Sequence, residues 1–348
     1  MCATIAVAMS GGVDSSAAAL LLQEQGHKIL GITLEMFHRD TPSTDIADAK
    51  AVAEHLGFPH YAFDFSPCFA REVMDRFIRA YEAGCTPNPC VDCNKHIKFG
   101  ALLEKALELG ADALATGHYA RIEAQNGRYL LRKALHPEKD QSYVLWSLSQ
   151  HQLSHTVLPL GILSKEEIRA AAAQHNLVSA HKSDSQDICF VPDGDYAAFI
   201  RRHTGKDYPK GQFLSPEGKV LGEHEGIVHY TMGQRRGLGV SSNQGRLYVT
   251  KVDPLTNTVV LGPNSDLFST TLTAKNINLI PFDSIPAPMR LNAKVRYRMP
   301  EQPCTVEQLD EDTLRVTFDQ PQRAITPGQS LVLYDGDYVV GGGVICQP

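Results

Sequence analysis

A short apolar run at residues 3–9 passes directly into Ser10-Gly11-Gly12-Val13-Asp14-Ser15-Ser16, and an apolar helical pattern follows from about Ser15 to Gln25, stopped by Gly26. A strand that turns through two glycines into a helix gathers backbone N–H groups and the positive end of the helix dipole at one point, which makes a cradle for an anion. The hydroxyls of Ser10, Ser15 and Ser16 add further donors. Gly-x-Gly-x-x-Gly is absent, and no Gly-Lys-[Ser/Thr] supplies the lysine of a Walker loop, so neither a dinucleotide nor a kinase-type phosphate site is indicated. The cradle that remains suits a pyrophosphate. An ordinary tight turn with Ser or Asp capping the helix would need only one or two of these residues.

Strand-like runs at Lys28–Leu34 and His60–Phe65, with a helical stretch from Ser43 to Leu56 ended by Gly57, continue the alternation as βαβαβ. Such alternation predicts a doubly wound α/β domain with a parallel sheet, whose ligands bind beyond the carboxyl ends of the strands. Helices are expected at Pro67–Ala83 and Asn94–Glu108. A strand at Ala111–Thr116 delivers Gly117-His118 to the same edge as the first loop. Beyond Arg128–Arg132 the spacing is helical at Ser142–Leu148, Lys165–His175 and Tyr196–His203. From about Thr204, short Val/Leu/Thr runs alternate with turn signals such as Pro216-Glu217-Gly218, Gly262-Pro263-Asn264 and Thr326-Pro327-Gly328. The domains expected are a catalytic α/β domain at 1–203, a small β-rich middle domain at 204–272 and a C-terminal β-barrel-like domain at 273–348.

The 348 residues are ample for several cores. No apolar run approaches the roughly 18 residues of a membrane span, and the first residues lack the pattern of a secretory or transit signal, so a cytoplasmic protein with no membrane partner is expected. The net charge of −6 conceals an asymmetry: residues 201–300 carry 14 Lys/Arg against 7 Asp/Glu. Arg201, Arg202, Lys206 and Lys210, then Arg235 and Arg236, then Lys294, Arg296 and Arg298 are the clusters able to meet phosphates. The last three alternate, which would set three cations on one face of a strand.

Eight cysteines in a reducing compartment do not make a disulfide framework. Cys2, Cys68, Cys304 and Cys346 are scattered and read as small buried hydrophobes. Cys85, Cys90 and Cys93 fall together in Gly84-Cys85-Thr86-Pro87-Asn88-Pro89-Cys90-Val91-Asp92-Cys93-Asn94. Cys93 precedes the expected helix, with Lys95 and Lys98 nearby, and a helix N-terminus with adjacent cations raises the thiolate fraction of a thiol. Cys90-x-x-Cys93-x-x-His96 also has the spacing of a zinc site, although no second ligand pair follows nearby. Cys189 between Ile188 and Phe190 would by itself read as core.

The loop string resembles the Ser-Gly-Gly-x-Asp-Ser signature of the PP-loop ATP pyrophosphatases, whose adenine nucleotide α-hydrolase-like fold the α/β domain would share. That resemblance implies cleavage of ATP, carried with Mg2+, between its α and β phosphates. Thr86-Pro87-Asn88-Pro89, Cys93-Asn94-Lys95, Thr116-Gly117-His118-Tyr119, Lys139-Asp140-Gln141-Ser142-Tyr143 and Ser185-Gln186-Asp187-Ile188-Cys189-Phe190, in that order, resemble one branch, the tRNA-specific 2-thiouridylases. The likeness continues through Thr231-Met232-Gly233-Gln234-Arg235-Arg236-Gly237-Leu238, Val295-Arg296-Tyr297-Arg298 and Thr326-Pro327-Gly328-Gln329, and so covers nearly the whole chain.

What this resemblance implies is adenylation of the C2 oxygen of a tRNA wobble uridine and its replacement by sulfur, with a sulfur-relay protein or cysteine desulfurase as donor and no DNA partner. Carried onto this chain, Cys189 would hold a persulfide, and Cys93 would attack it and form a Cys93–Cys189 disulfide as sulfur is released. Ala8, Met9, Ser10, Gly11, Gly12, Val13, Asp14, Ser15, Leu34 and Gly117 would hold ATP. Asn88, Pro89 and Cys90 would surround the target base, extruded from the anticodon stack. His118, Lys139, Asp140, Gln141, Arg296, Tyr297 and Gln329 would contact tRNA. Many relatives carry Asp where this chain has Cys90. With Cys93 and Cys189, that residue could instead hold a [4Fe-4S] cluster, as in other tRNA thiolases. An amide-forming PP-loop ligase and a metal-bearing RNA-binding module are the rivals of other classes.

Overall fold

The computed structural model describes residues 2–37, 44–178, 188–241 and 245–346, so Ser43 and the Ser185 to Asp187 part of the Cys189 motif lie outside the described residues. Two compact units emerge. The first comprises Met1–Val73, Cys90–Gln186 and Asp335–Val340, and the second Met74–Pro89, Asp187–Tyr334 and Gly341–Pro348.

The first unit is built on β1 (Thr4–Ala8), β2 (Lys28–Glu35), β3 (His60–Asp64), β4 (Ala113–Ala115) and β7 (Thr156–Val157); the hairpin of β5 (Ala120–Gln125) and β6 (Arg128–Lys133) intervenes in the chain. Its five-stranded sheet has the order β3-β2-β1-β4-β7, and every pairing is parallel. From β1 the chain proceeds outward through β2 and β3, then returns to the other side of β1 as β4. The order therefore reverses between β1 and β4, and at such a switch point the loops leaving the two strands part to form a crevice. Ser10–Gly12 leaves β1 there and Thr116–His118 leaves β4.

Helix Val13–Glu24 packs closely because Ala17, Ala18 and Ala19 are all fully buried, in one core with Ile5, Val7 and Met9. Ile168 and Ala172 of helix Lys165–Gln174 complete that core. The β5–β6 hairpin turns at Asn126-Gly127, with φ of 50° and 78°, the paired left-handed conformation that an Asn-Gly type I′ turn requires.

The second unit holds a four-stranded sheet of β8 (Gly211–Leu214), β9 (Val220–His224), β10 (Tyr248–Asp253) and β11 (Thr258–Gly262), in the order β10-β11-β8-β9. The strands β12 (Phe268–Leu279), β13 (Met289–Lys294), β14 (Gln302–Asp310), β15 (Thr313–Arg323), β16 (Ser330–Asp335) and β17 (Tyr338–Ile345) follow the order β12-β15-β14-β13-β16-β17. Pairing of β17 back onto β12 closes them into a barrel, which removes the open edges. Val306, Leu314, Val316, Leu331 and Leu333 fill it.

Three local expectations are corrected. Residues 142–148 form one 3-10 turn, Ser142–Val144, followed by turns and no longer helix. Tyr143, Leu145, Trp146 and Leu148 are all buried, so their apolar spacing reflects burial on every side, while Asp140 holds the Ser142 N–H and hydroxyl at 3.3 and 2.8 Å. Strand β13 ends at Lys294, so Lys294, Arg296 and Arg298 do not share a strand face. Of the scattered cysteines only Cys304 is core, its thiol pushed up to about 12 by burial; Cys2 is exposed, and Cys68 and Cys346 are half-buried.

Candidate active site

In the first unit, helix Val13–Glu24 starts from Gly12, and no side chain caps it. The Ser15 and Ser16 hydroxyls instead donate to the Gly12 carbonyl at 3.1 and 3.0 Å, and the Ser10 N–H donates to Ser15 Oγ at 3.2 Å. The serines therefore set the shape of the loop and leave the first-turn N–H groups of the helix for an anion. This departs from the simple capped turn. Gly11 has φ +69°, and a Cβ there would fall 2.7 Å from the Asp45 carbonyl oxygen, so both backbone conformation and space demand glycine.

Asp14 Oδ1 accepts from the Tyr119 hydroxyl and from Lys165 Nζ, each at 2.7 Å. Neither partner was singled out in the sequence as a holder of Asp14. Gly117 arrives from β4 so closely that a Cβ would lie 2.9 Å from Asp14 Cβ and from the Ser15 nitrogen. Ala8 and Met9 end and follow β1, where the Met9 N–H donates to Ile32 at 2.7 Å, and Leu34 lies on the neighbouring β2. Nine of the expected nucleotide residues thus surround or adjoin one strand end, and Leu34 stands on the adjacent strand.

His118 is buried, its Nδ1 2.7 Å from Thr116 Oγ1 and its ring 5.7 Å from that of Phe99. Burial, then the Lys98 charge, hold its pKa well below the usual histidine range, so it is neutral and adds no cation for phosphate. Gln141 is tied to Tyr119: the Tyr119 N–H donates to Gln141 Oε1 at 3.0 Å, and the Gln141 N–H donates back at 2.8 Å. Asp140 accepts from the Ala134 N–H at 2.9 Å as well as from Ser142. Lys139 ends the short 3-10 turn Pro137–Lys139, half-buried.

The cysteine segment is corrected in one respect. Helix begins at Pro89, not after Cys93, and continues through Pro89–Asp92, wide π-helical turns over Cys93–Leu102, and Leu103–Glu108. Cys90 occupies the first turn and Cys93 lies one turn inside, where the dipole effect has faded. Cys93 is buried and Cys90 exposed. Enough protein still surrounds Cys90 for desolvation to raise its thiol pKa, opposed by Lys98. Among the described residues no group of three or more His, Cys, Asp or Glu is placed to hold a metal ion. The residues do not fit either group.

In the second unit, Cys189 is exposed in the turn closed by the Val191 N–H on Ile188, while Phe190 packs in T-shaped contact on Phe77, 5.3 Å between ring centres. Asn88 is half-buried and Pro89 buried. Just before them, the Thr86 N–H donates to Pro327 at 2.8 Å, and Gln329 Nε2 donates to the Thr86 carbonyl at 2.7 Å. Arg296 turns its guanidinium onto the carbonyls of Arg323 and Ala324, at 2.7 and 2.6 Å. Tyr297, Arg298, Arg235 and Arg236 are exposed.

Family models match in three consecutive stretches: a tRNA methyl transferase HUP domain at residues 3–193, a tRNA methyl transferase PRC-barrel domain at 197–263, and an aminomethyltransferase beta-barrel domain at 269–345. Curated relatives match end to end. The tRNA-specific 2-thiouridylase MnmA of Clostridium kluyveri is 47% identical, with 99% of each chain covered. That of Clostridioides difficile is 45% identical over 98% of this chain and 97% of its own, and tRNA-specific 2-thiouridylase MnmA 2 of Thermoanaerobacter sp. strain X514 is 48% identical over 98% and 97%.

Proposed function

The chain belongs to the tRNA-specific 2-thiouridylase family, and from that premise we propose how its residues divide the work of ATP-dependent tRNA 2-thiolation. It is a sulfurtransferase acting on tRNA. The uncapped, glycine-shaped loop at the switch point of the sheet is the observation that most supports the nucleotide half of this reading. ATP, as its magnesium complex, is substrate there: the C2 oxygen of the wobble uridine attacks the α-phosphorus, and pyrophosphate leaves. A carbonyl oxygen becomes a good leaving group only when so esterified.

Sulfur then arrives as a persulfide on Cys189, loaded by a sulfur-relay protein or cysteine desulfurase; exposure of that thiol suits such a handover. The outer sulfur attacks C2 and AMP departs with the oxygen. Cys93 thiolate attacks Cys189 Sγ, which frees the thiocarbonyl and leaves a Cys93–Cys189 disulfide, and a cellular dithiol returns both to thiols with two electrons. Asn88, Pro89 and Cys90 border the base, and exposed cations of residues 201–300, Arg235 and Arg236 among them, meet the RNA backbone. The domain division at 203 and 272 belongs to the same proposal. No helix among the described residues is long and apolar enough to cross a membrane, and a tRNA substrate suits a cytoplasmic site.

The deciding experiment is mass analysis of wobble uridine from cells lacking this protein. Loss of the 2-thio group, restored by the gene, is expected; unchanged thiolation would refute the reading.

Two smaller predictions arise here. Cys90→Ser is expected to keep thiolation within about tenfold of the parent, one hydrogen bond's worth, with no iron bound. Anaerobic purification with iron and acid-labile sulfide assays checks this, and an inactive variant that has lost iron held by the active parent would reverse it. Arg235→Ala with Arg236→Ala is expected to weaken tRNA binding and flatten its salt dependence by roughly one to two units of logarithmic slope. A parental slope in filter binding across salt concentrations would place those cations away from the RNA.

A further inference from the structure

Asp14 is the one carboxylate in the Ser10 to Ser16 loop, and a carboxylate beside a triphosphate repels it unless its charge is compensated. Compensation comes from 151 residues away in the chain. Lys165 Nζ and the Tyr119 hydroxyl donate to the same oxygen, Asp14 Oδ1, each at 2.7 Å. The Lys165 side chain is only 7% exposed, against 30% for Asp14. A nearly buried ammonium is costly without a paired charge.

Lys165 is also misplaced for its own helix. It is the first residue of Lys165–Gln174, where a cation opposes the dipole and where Glu166 and Glu167 are the favourable kind of neighbour. The helix end is fixed without its help. Ser164 and Glu167 form a capping box, the Glu167 N–H on Ser164 Oγ at 3.2 Å and the Ser164 N–H on Glu167 Oε2 at 2.7 Å. Ile168 and Ala172 seat the helix in the same core as Val13 and Ala17, so the elements bearing Lys165 and Asp14 share one packed foundation. On the other side Gly117 permits the close approach that brings Tyr119 to Asp14.

We propose that Lys165 is a positioning residue of the nucleotide loop: its buried ammonium, together with the Tyr119 hydroxyl, fixes the Asp14 carboxylate and cancels its charge toward the triphosphate. The proposal rests on the reading that this loop binds ATP. Its consequence is an effect on nucleotide affinity that depends on charge and not on side-chain volume.

The test measures tRNA-dependent pyrophosphate release against ATP concentration for the full chain. Lys165→Met is expected to raise KM for ATP by about 10- to 100-fold with a much smaller change in kcat. Lys165→Arg, which keeps the charge, should stay within about threefold of the parent. Adding Asp14→Asn to Lys165→Met removes the uncompensated charge and should bring KM back down, whatever the loss in kcat; a merely structural lysine would not produce this reversal. Lys165→Gln keeps a polar donor, one bond shorter, and serves if Lys165→Met does not fold, with the same rise expected because the charge is gone. A parent that releases no pyrophosphate sinks the nucleotide reading itself. A parent that uses ATP, with the neutral Lys165 variants at parental KM or a double variant no better than the single, sinks only the role given to Lys165.

Discussion

Cys93→Ser and Cys189→Ser are each expected to lower thiolation by more than about 1,000-fold while leaving adenylation intact, since a serine hydroxyl can neither carry nor accept sulfur. Pyrophosphate should appear in one burst matched to the tRNA and then stop. The two variants should differ in what accumulates: Cys93→Ser retains one extra sulfur on Cys189 after exposure to the donor, visible by mass spectrometry of the alkylated peptide, and Cys189→Ser retains none. The environments fit these roles, an exposed thiol for loading at Cys189 and a sheltered one at Cys93. Full thiolation by either variant would remove the replaced cysteine from the sulfur route.

Asp14→Asn is expected to lower pyrophosphate release by about 100-fold or more, through kcat, because a neutral amide holds the Lys165 ammonium and the Tyr119 hydroxyl less firmly and the reacting phosphate is then misplaced. tRNA binding should stay near the parental value, because the proposed division of work sets ATP at the loop and RNA at the basic residues. Asn is the better replacement than Ala. Truncation would take the Asp14 carboxylate from both the nearly buried Lys165 ammonium and the Tyr119 hydroxyl, so lost activity would mix with lost stability. A melting curve of the purified variant separates the two, and parental pyrophosphate release from a folded Asp14→Asn would overturn the assignment of the loop.

Much of the candidate site was legible in the chain because phosphate cradles are local. Strand, glycine pair, hydroxyls and helix start occupy residues 4–24 without interruption, and the structure keeps them in that order. The cysteine segment was legible as a cluster but not as geometry. Its prolines read as loop up to Cys93, yet Pro89 is tolerated at a helix start, and the helix begins there. The alternating cations at 294–298 failed for a related reason: alternation puts residues on one face only while the strand lasts, and β13 ends at Lys294.

Sequence by itself determined the type of phosphate loop, the βαβαβ alternation, the change to short strands after Thr204, and which sulfurs stand near one another in the chain. These follow from periods of 2 and 3.6 residues and from turn chemistry, which act over a few neighbouring positions. Tertiary structure alone decided that the strand order reverses between β1 and β4, that Lys165 and Tyr119 hold Asp14, that Arg296 turns to the carbonyls of Arg323 and Ala324, and that Gln329 holds the backbone at Thr86. Each of these joins residues far apart in the chain. Such a bond forms only after a core has set two elements side by side, and no local pattern records which distant donor will be there.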